Sequence, residues 1–260
     1  MVIVLLIVTS CYALLAYRRN FIWQDELTLW DDVVHKSPRK ARPYYNHGVV
    51  YGSRGNIQQA ISDYTKAIEL NPSYANAYYN RGVVYDDQGD IQQAISDYTK
   101  AIQINPNLAE PFNNRGNAYR RQGNMVQAFF DFNKAIEINP NLAEAYVNRG
   151  AAYAIQGNFA QAIFDFSKSI EINPNYVIAY PNRGNAYAIQ GNFTQAITDF
   201  TKGIAVNPNY VGNYIHRGNV YFKIKEYDQA WADVYKVEAL GYAVKPEFLE
   251  ALKQASGREK

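Results

Sequence analysis

AEAYVNRGAAYAIQGNFAQAIFDFSKSIEINPNY, residues 143–176, carries two helical periods separated by a turn. In the first, Tyr146, Gly150 and Tyr153 fall on one face. Gly157 breaks that helix, and Asn158 is placed to cap the next one. In the second, Ala162, Phe166 and Ile170 share a face, and Asn173-Pro174 ends it, because the residue before a proline is pushed out of the helical region. Gly150 and Ala162 are both small, so the two helices can approach closely. A single such unit cannot bury both apolar faces, and neighbours must stack.

The same pattern returns on both sides. Pro38, Pro72, Pro106, Pro140, Pro174 and Pro208 are evenly spaced, and Gly48 to Gly218 and Ala60 to Ala230 form two further combs of the same period in phase with them. Six units follow: 41–74, 75–108, 109–142, 143–176, 177–210 and 211–244. The spacing of Tyr, Gly, Tyr, Ala, Phe/Tyr, Ala and Pro resembles the tetratricopeptide repeat. That resemblance implies an all-α, right-handed solenoid of six helix-turn-helix units. Ser169 and Gly203 depart from the late alanine, Lys225 from the turn glycine and Tyr242 from the final proline. The last unit is therefore degenerate, and 245–260 reads as a C-terminal capping helix and tail, with Phe248, Leu249 and Leu252 to close the exposed end. Counting back from Pro38 places Trp30 at the aromatic position of a second helix. Within the linker 18–40, residues 22–36 then read as an N-terminal capping half-repeat, with Trp23, Leu27, Trp30 and Val34 on one face.

Met1 to Tyr17 (MVIVLLIVTSCYALLAY) carries no charge and is followed by Arg18 and Arg19. At ~1.5 Å per residue the stretch spans ~25 Å, enough for a short transmembrane helix. A cleavable signal peptide is disfavoured because the basic residues follow the apolar stretch instead of preceding it. Lipidation at Cys11 is disfavoured because apolar residues continue past it. The segment is read as a membrane anchor.

Composition narrows the chemistry. The chain is 48% hydrophobic with a net charge of +2, which gives no electrostatic case for nucleic acid. One cysteine and three well-separated histidines offer no basis for a disulfide framework, a shared metal or a nucleophile–base pair. The carboxylates are repeat-periodic, with none singled out for acid–base work. We therefore expect no catalytic site, no metal, no cofactor, no nucleic-acid partner and no small-molecule substrate.

One ladder stands out. Asn46, Asn80, Asn114, Asn148 and Asn182 recur at the sixth position of the first helix, with His216 in the sixth unit. In the family that the chain resembles, this position faces a concave groove. The arrangement is similar to the asparagine ladder in the repeats of O-linked N-acetylglucosamine transferase, which holds peptide backbones. An amide offers a donor and an acceptor together, matching a peptide group whatever its side chain. Tyr45, Tyr79, Asn113, Val147 and Ile215, one position earlier, are expected to tune side-chain preference. The competing reading is that the amides satisfy neighbouring groups of the chain itself. Arg81, Arg115, Arg149, Arg183 and Arg217 follow the asparagines, with His47 in the first unit. Each unit also carries one aspartate in its second helix, from Asp63 to Asp233, so structural ion pairs are favoured over a cationic binding ladder.

These residues point to a membrane-anchored scaffold that binds a peptide segment or partner protein in its groove. Residues 18–50 also resemble the junction in polytopic glycosyltransferase-like proteins of the transmembrane O-mannosyltransferase type, where a last membrane helix runs into a tryptophan-containing helix, a Ser/Cys-Pro turn and repeats. That resemblance implies the tail, or a stand-alone relative, of such an enzyme, recruiting its protein substrates. The two readings conflict over topology. The basic residues after the apolar segment favour cytoplasmic repeats, the junction favours extracytoplasmic ones, and the reading leans to the latter.

Overall fold

The computed structural model describes Trp23 and residues 25–258. The expected membrane helix at 1–17 lies outside the described residues, and among these no helix is long and apolar enough to cross a membrane. The described residues form fourteen helices and no strands. They are α1 (Glu26–Lys36), α2 (Ala41–Ser53), α3 (Ile57–Leu70), α4 (Ala75–Asp87), α5 (Ile91–Ile104), α6 (Ala109–Arg121), α7 (Met125–Ile138), α8 (Ala143–Ile155), α9 (Phe159–Ile172), α10 (Ala179–Ile189), α11 (Phe193–Val206), α12 (Val211–Lys223), α13 (Tyr227–Ala239) and α14 (Pro246–Ser256). Contacts divide the chain into two compact units, one ending at Ala118 and the other beginning at Tyr119.

Each helix pair is made the same way. Gly55, Gly89, Gly123, Gly157 and Gly191 adopt φ between 76° and 82°, the left-handed conformation that stops a first helix without a Cβ penalty. In the last repeat Lys225 takes that conformation instead, at φ 65°. In most repeats the second helix then starts at an Asn or Asp. The side chains of Asp90, Asn124 and Asn158 accept from the backbone N–H of Gln93, Gln127 and Gln161. It stops at an asparagine whose own side chain closes the turn: the N–H groups of Ser73, Asn107, Asn141, Asn175 and Asn209 donate to Oδ1 of Asn71, Asn105, Asn139, Asn173 and Asn207. Side chain and following proline together end the helix.

Packing explains the small residues. Ala60, Ala94, Ala128, Ala162, Ala196 and Ala230 are fully buried. A Cβ on Gly150 would lie 2.8 Å from the Phe166 ring and 3.2 Å from the Ala162 carbonyl oxygen, so only glycine permits this approach of α8 to α9. In the first unit the core gathers Ala60, Tyr64 and Val84. In the second, Val147, Phe166 and Ala179 form one cluster, Ala196, Phe200 and Val220 another. At the C-terminus α14 is held by Leu252, which packs with Trp231 and Val234, while the Trp231 indole N–H donates to Ser256 Oγ at 3.0 Å.

The N-terminal helix differs from its expected extent. It begins at Glu26, residue 22 lying outside the described residues, and Trp23 precedes it, exposed, with its indole N–H directed at Asp32 at 3.4 Å. Asp25 precedes the first turn with extended backbone and pairs with Arg54, which ties the start of α1 to the end of α2.

Candidate functional site

In the first unit Asn46 is half-buried, and the other two ladder amides are already engaged. Asn80 Nδ2 donates to the Tyr45 hydroxyl at 3.1 Å, and Asn114 Nδ2 donates to the Tyr79 hydroxyl at 3.2 Å. Each asparagine thus holds a tyrosine of the preceding repeat. Tyr45 also packs against Tyr64 and Tyr74 at centroid distances of 6.0 and 4.9 Å. Burial raises the Tyr64 hydroxyl to about 12, opposed by its hydrogen bond with Asn80. Tyr45 and Tyr79 therefore join an internal tyrosine–amide network as well as lining the surface. Asn113, expected beside them, is 1% exposed, and its Nδ2 donates to Asn114 Oδ1 at 3.2 Å. It faces the core and cannot select a ligand.

The second unit is different. Val147 is 4% exposed and packs with Phe166 and Ala179, so it too is withdrawn from any ligand, whereas Ile215 at the same repeat position is 39% exposed. Proline occupies this position in the fifth repeat, as Pro181. Asn148 has partners within the chain. The half-buried side chains of Asn182 and His216 form no hydrogen bond among the described residues. Burial lowers the His216 pKa. The imidazole stays neutral at pH 7 and so keeps one donor and one acceptor, the same complement that the amides offer.

Between α10 and α12 lies a cavity of about 400 Å³ lined by Asn185, Ile189, Phe193, His216, Asn219 and Lys223, among others. Ile189 is 64% exposed, and the Lys223 ammonium stands 5.0 Å from the centroid of the Phe193 ring. Asn185 and Asn219 were not singled out in the sequence. They occupy one register position in successive repeats, but Val49, Val83 and Ala151 stand there in other repeats, so the signal was local to a few units.

The arginines serve the scaffold. Arg81, Arg149, Arg183 and Arg217 grip Asp97, Asp165, Asp199 and Asp233 through two parallel hydrogen bonds of 2.7–3.0 Å. The remaining amino group reaches the previous repeat, at Thr65, Asn133, Ser167 and Thr201 respectively. Each guanidinium therefore joins three helices, and the geometry fits its planar fork. In the first repeat His47 takes this place, within ion-pair distance of Asp63 (2.9 Å) and Asp31 (3.2 Å). Burial, first of all, raises the Asp63 carboxyl; His47 opposes the shift and Asp31 adds to it. Asp31 lies one full repeat before Thr65, so α1 contributes in phase with the second helices.

Helix pairs repeating at a constant period, with glycine at the turn and asparagine-proline at the end, define an α-helical repeat protein. The Tetratricopeptide repeat family model matches residues 75–108, 109–142 and 143–176, and a second model, described as TPR repeat, matches 48–89 and 184–225. These matches cover more than half of the chain, and the chain belongs to the tetratricopeptide-repeat family. They begin at residue 48 and lend no support to the glycosyltransferase-like junction at 18–50.

No curated protein matches the chain in sequence. Among solved structures it is similar to YrrB, described as a TPR protein with an unusual peptide-binding site, at 26% identity and a TM-score of 0.55, covering 71% of this chain and 95% of that one. Pseudomonas aeruginosa pilF is similar at 21% identity and a TM-score of 0.71, covering 84% of this chain and 97% of that one. A chain of the APC/C hetero-tetramer Cut9–Hcn1 gives 20% identity and a TM-score of 0.76 over 93% of this chain. Against it, this chain spans about half the length, 48%. The last two likenesses show the fold.

Proposed function

We propose that the chain is a protein-binding scaffold whose second unit holds an extended segment of a partner polypeptide across the first helices α10 and α12. The observation that carries this is the cavity between those helices, where Asn185, Asn219 and neutral His216 line one surface with exposed Ile189. Asn182, without a hydrogen-bond partner among the described residues, stands one repeat before His216 in the same ladder. Donors and acceptors matched to a peptide backbone beside apolar ground are what recognition of an extended segment requires. The likeness to YrrB, whose description names a peptide-binding site, supports the same reading.

The first unit plays a different part. There Asn80 and Asn114 each hold a tyrosine of the preceding repeat and stiffen the stack. The apolar segment Met1–Tyr17 anchors the scaffold in a membrane, and the repeats stand on its extracytoplasmic side, where they recruit exported polypeptides.

Each backbone hydrogen bond contributes about 0.5–1.5 kcal/mol net, so micromolar affinity is expected. Peptides selected on the full-length chain from a random displayed library are titrated calorimetrically into Asn182→Ala and Asn182→Ala/Asn185→Ala variants. Each lost amide should weaken binding about fivefold, at ~1 kcal/mol per bond. Undiminished affinity in the folded double variant would remove the groove reading.

A further inference from the structure

In five of the six repeats a large ring stands at a fixed offset after the first-helix glycine: Tyr64, Tyr98, Phe132, Phe166 and Phe200. It lies against that glycine so closely that a Cβ on Gly48, Gly82, Gly150 or Gly184 would sit 2.9, 2.9, 2.8 or 2.7 Å from a ring carbon. The sixth repeat has Val234 instead. A Cβ on Gly218 would meet nothing closer than the Asp233 Cβ at 3.4 Å. Where the ring would lie there is a cavity of about 270 Å³, bounded by Ile215, Gly218, Val234, Val237, Val244 and Phe248. Trp231, one helical turn earlier in α13, does not fill it, since its indole is held by Ser256 and packs with Leu252.

This cavity adjoins the groove of the second unit, since His216 and Asn219 line both. It is larger than the roughly 150 Å³ apolar cavity that accommodates benzene. At its edge Lys245 is exposed and has no anionic partner among the described residues.

We infer that this slot receives an aromatic side chain of the bound polypeptide, taking the place that Tyr64, Tyr98, Phe166 and Phe200 fill from within their own repeats. The inference rests on the groove reading above and names its anchor. Ring and slot match because the fold already builds that contact elsewhere between the same two helices of a repeat. Lys245 adds a preference for a carboxylate next to the aromatic residue and for the ring face itself. The sixth repeat is then more than a degenerate end: its departure from the pattern is the recognition element.

The test uses the isotope-labelled full-length chain and two blocked hexapeptides. One has a single phenylalanine beside a single aspartate; the other has alanine in place of the phenylalanine. Ring-current shifts are expected at Gly218, Val234 and Val244, and the alanine peptide should bind about tenfold more weakly or worse, the scale of burying one aromatic side chain. Val234→Phe fills the slot from inside, so it should raise the melting temperature and abolish the preference between the peptides. Gly218→Ala puts a methyl on the slot floor at ordinary contact distance from the protein, so it should fold and still lose the preference. Equal binding of the two peptides, a preference that survives in both variants, or no response at millimolar peptide would each overturn the inference. Shifts at Asn182 and Asn185 without any at Gly218 and Val234 would sink the slot and leave the groove. Shifts at Gly218 and Val234 alone would sink the groove.

Discussion

At the residue scale, the arginine–aspartate pairs show how a charge can be buried safely. Asp233 is almost wholly enclosed, and burial, the largest influence, raises its pKa; the hydrogen bonds and charge of Arg217 oppose the shift. The Arg217→Met variant removes that opposition and leaves an unpaired buried carboxylate, a change that costs about 3–5 kcal/mol at neutral pH. The sign with pH follows from the folded value lying above the unfolded one. The carboxyl's contribution is intact below the ordinary carboxylate value of 3.8 and is lost as pH rises through the raised folded value. Thermal melts from pH 7 down to pH 4 should therefore show the variant's deficit shrinking. A deficit that stays constant would mean that the lost stacking of Arg217 on Tyr214 and Tyr221, both at 5.8 Å, dominates instead. The pairing itself was legible, because one Arg and one Asp in each of five repeats, on two packed helices, leave few other arrangements. The burial of Asn113 and Val147 was not. Ile215 shares their register yet is well exposed, so exposure there depends on which neighbours flank the helix and not on period.

At the element scale, the turns follow the sequence closely because each relies on one residue with special backbone freedom. The exception is instructive. Lys225 sits at φ 65° where five repeats use glycine, and an L-residue there costs about 1–2 kcal/mol. Lys225→Gly relieves the strain but adds chain entropy to the unfolded state, so the net gain should be about 0.5–1 kcal/mol. Chemical denaturation should place the midpoint higher with an unchanged slope; a lower midpoint would show that the Lys225 side chain supports the α12–α13 turn. The start of α1 illustrates the opposite case. A helical period from Trp23 onward was visible, yet the helix begins only at Glu26, where Asp25 adopts extended backbone and pairs with Arg54. That contact joins residues far apart in sequence, and local periodicity carries no trace of it.

At the scale of the whole molecule, the repeats build their own core, so the uncharged stretch Met1–Tyr17 is not needed to complete it. Under the proposed anchor, a stretch of that length and polarity, followed at once by Arg18 and Arg19, would lie in the bilayer. The anchor reading separates into two measurable statements. Full-length protein should pellet with membranes and resist alkaline extraction, while deletion of residues 2–17 should release folded repeats into the supernatant. The side is then read by a single cysteine on the C-terminal helix in a Cys11→Ala background. Ser256 is a poor choice because its hydroxyl holds Trp231, whereas Gln254 is exposed on the same helix. Gln254→Cys should react with a membrane-impermeant maleimide in intact cells, which places groove and slot among exported polypeptides. Reaction only after lysis would move the repeats to the cytoplasm, in line with the basic residues that follow the apolar stretch. The aromatic-bearing partner would then be sought among cytoplasmic proteins, with the chemistry of the slot unchanged.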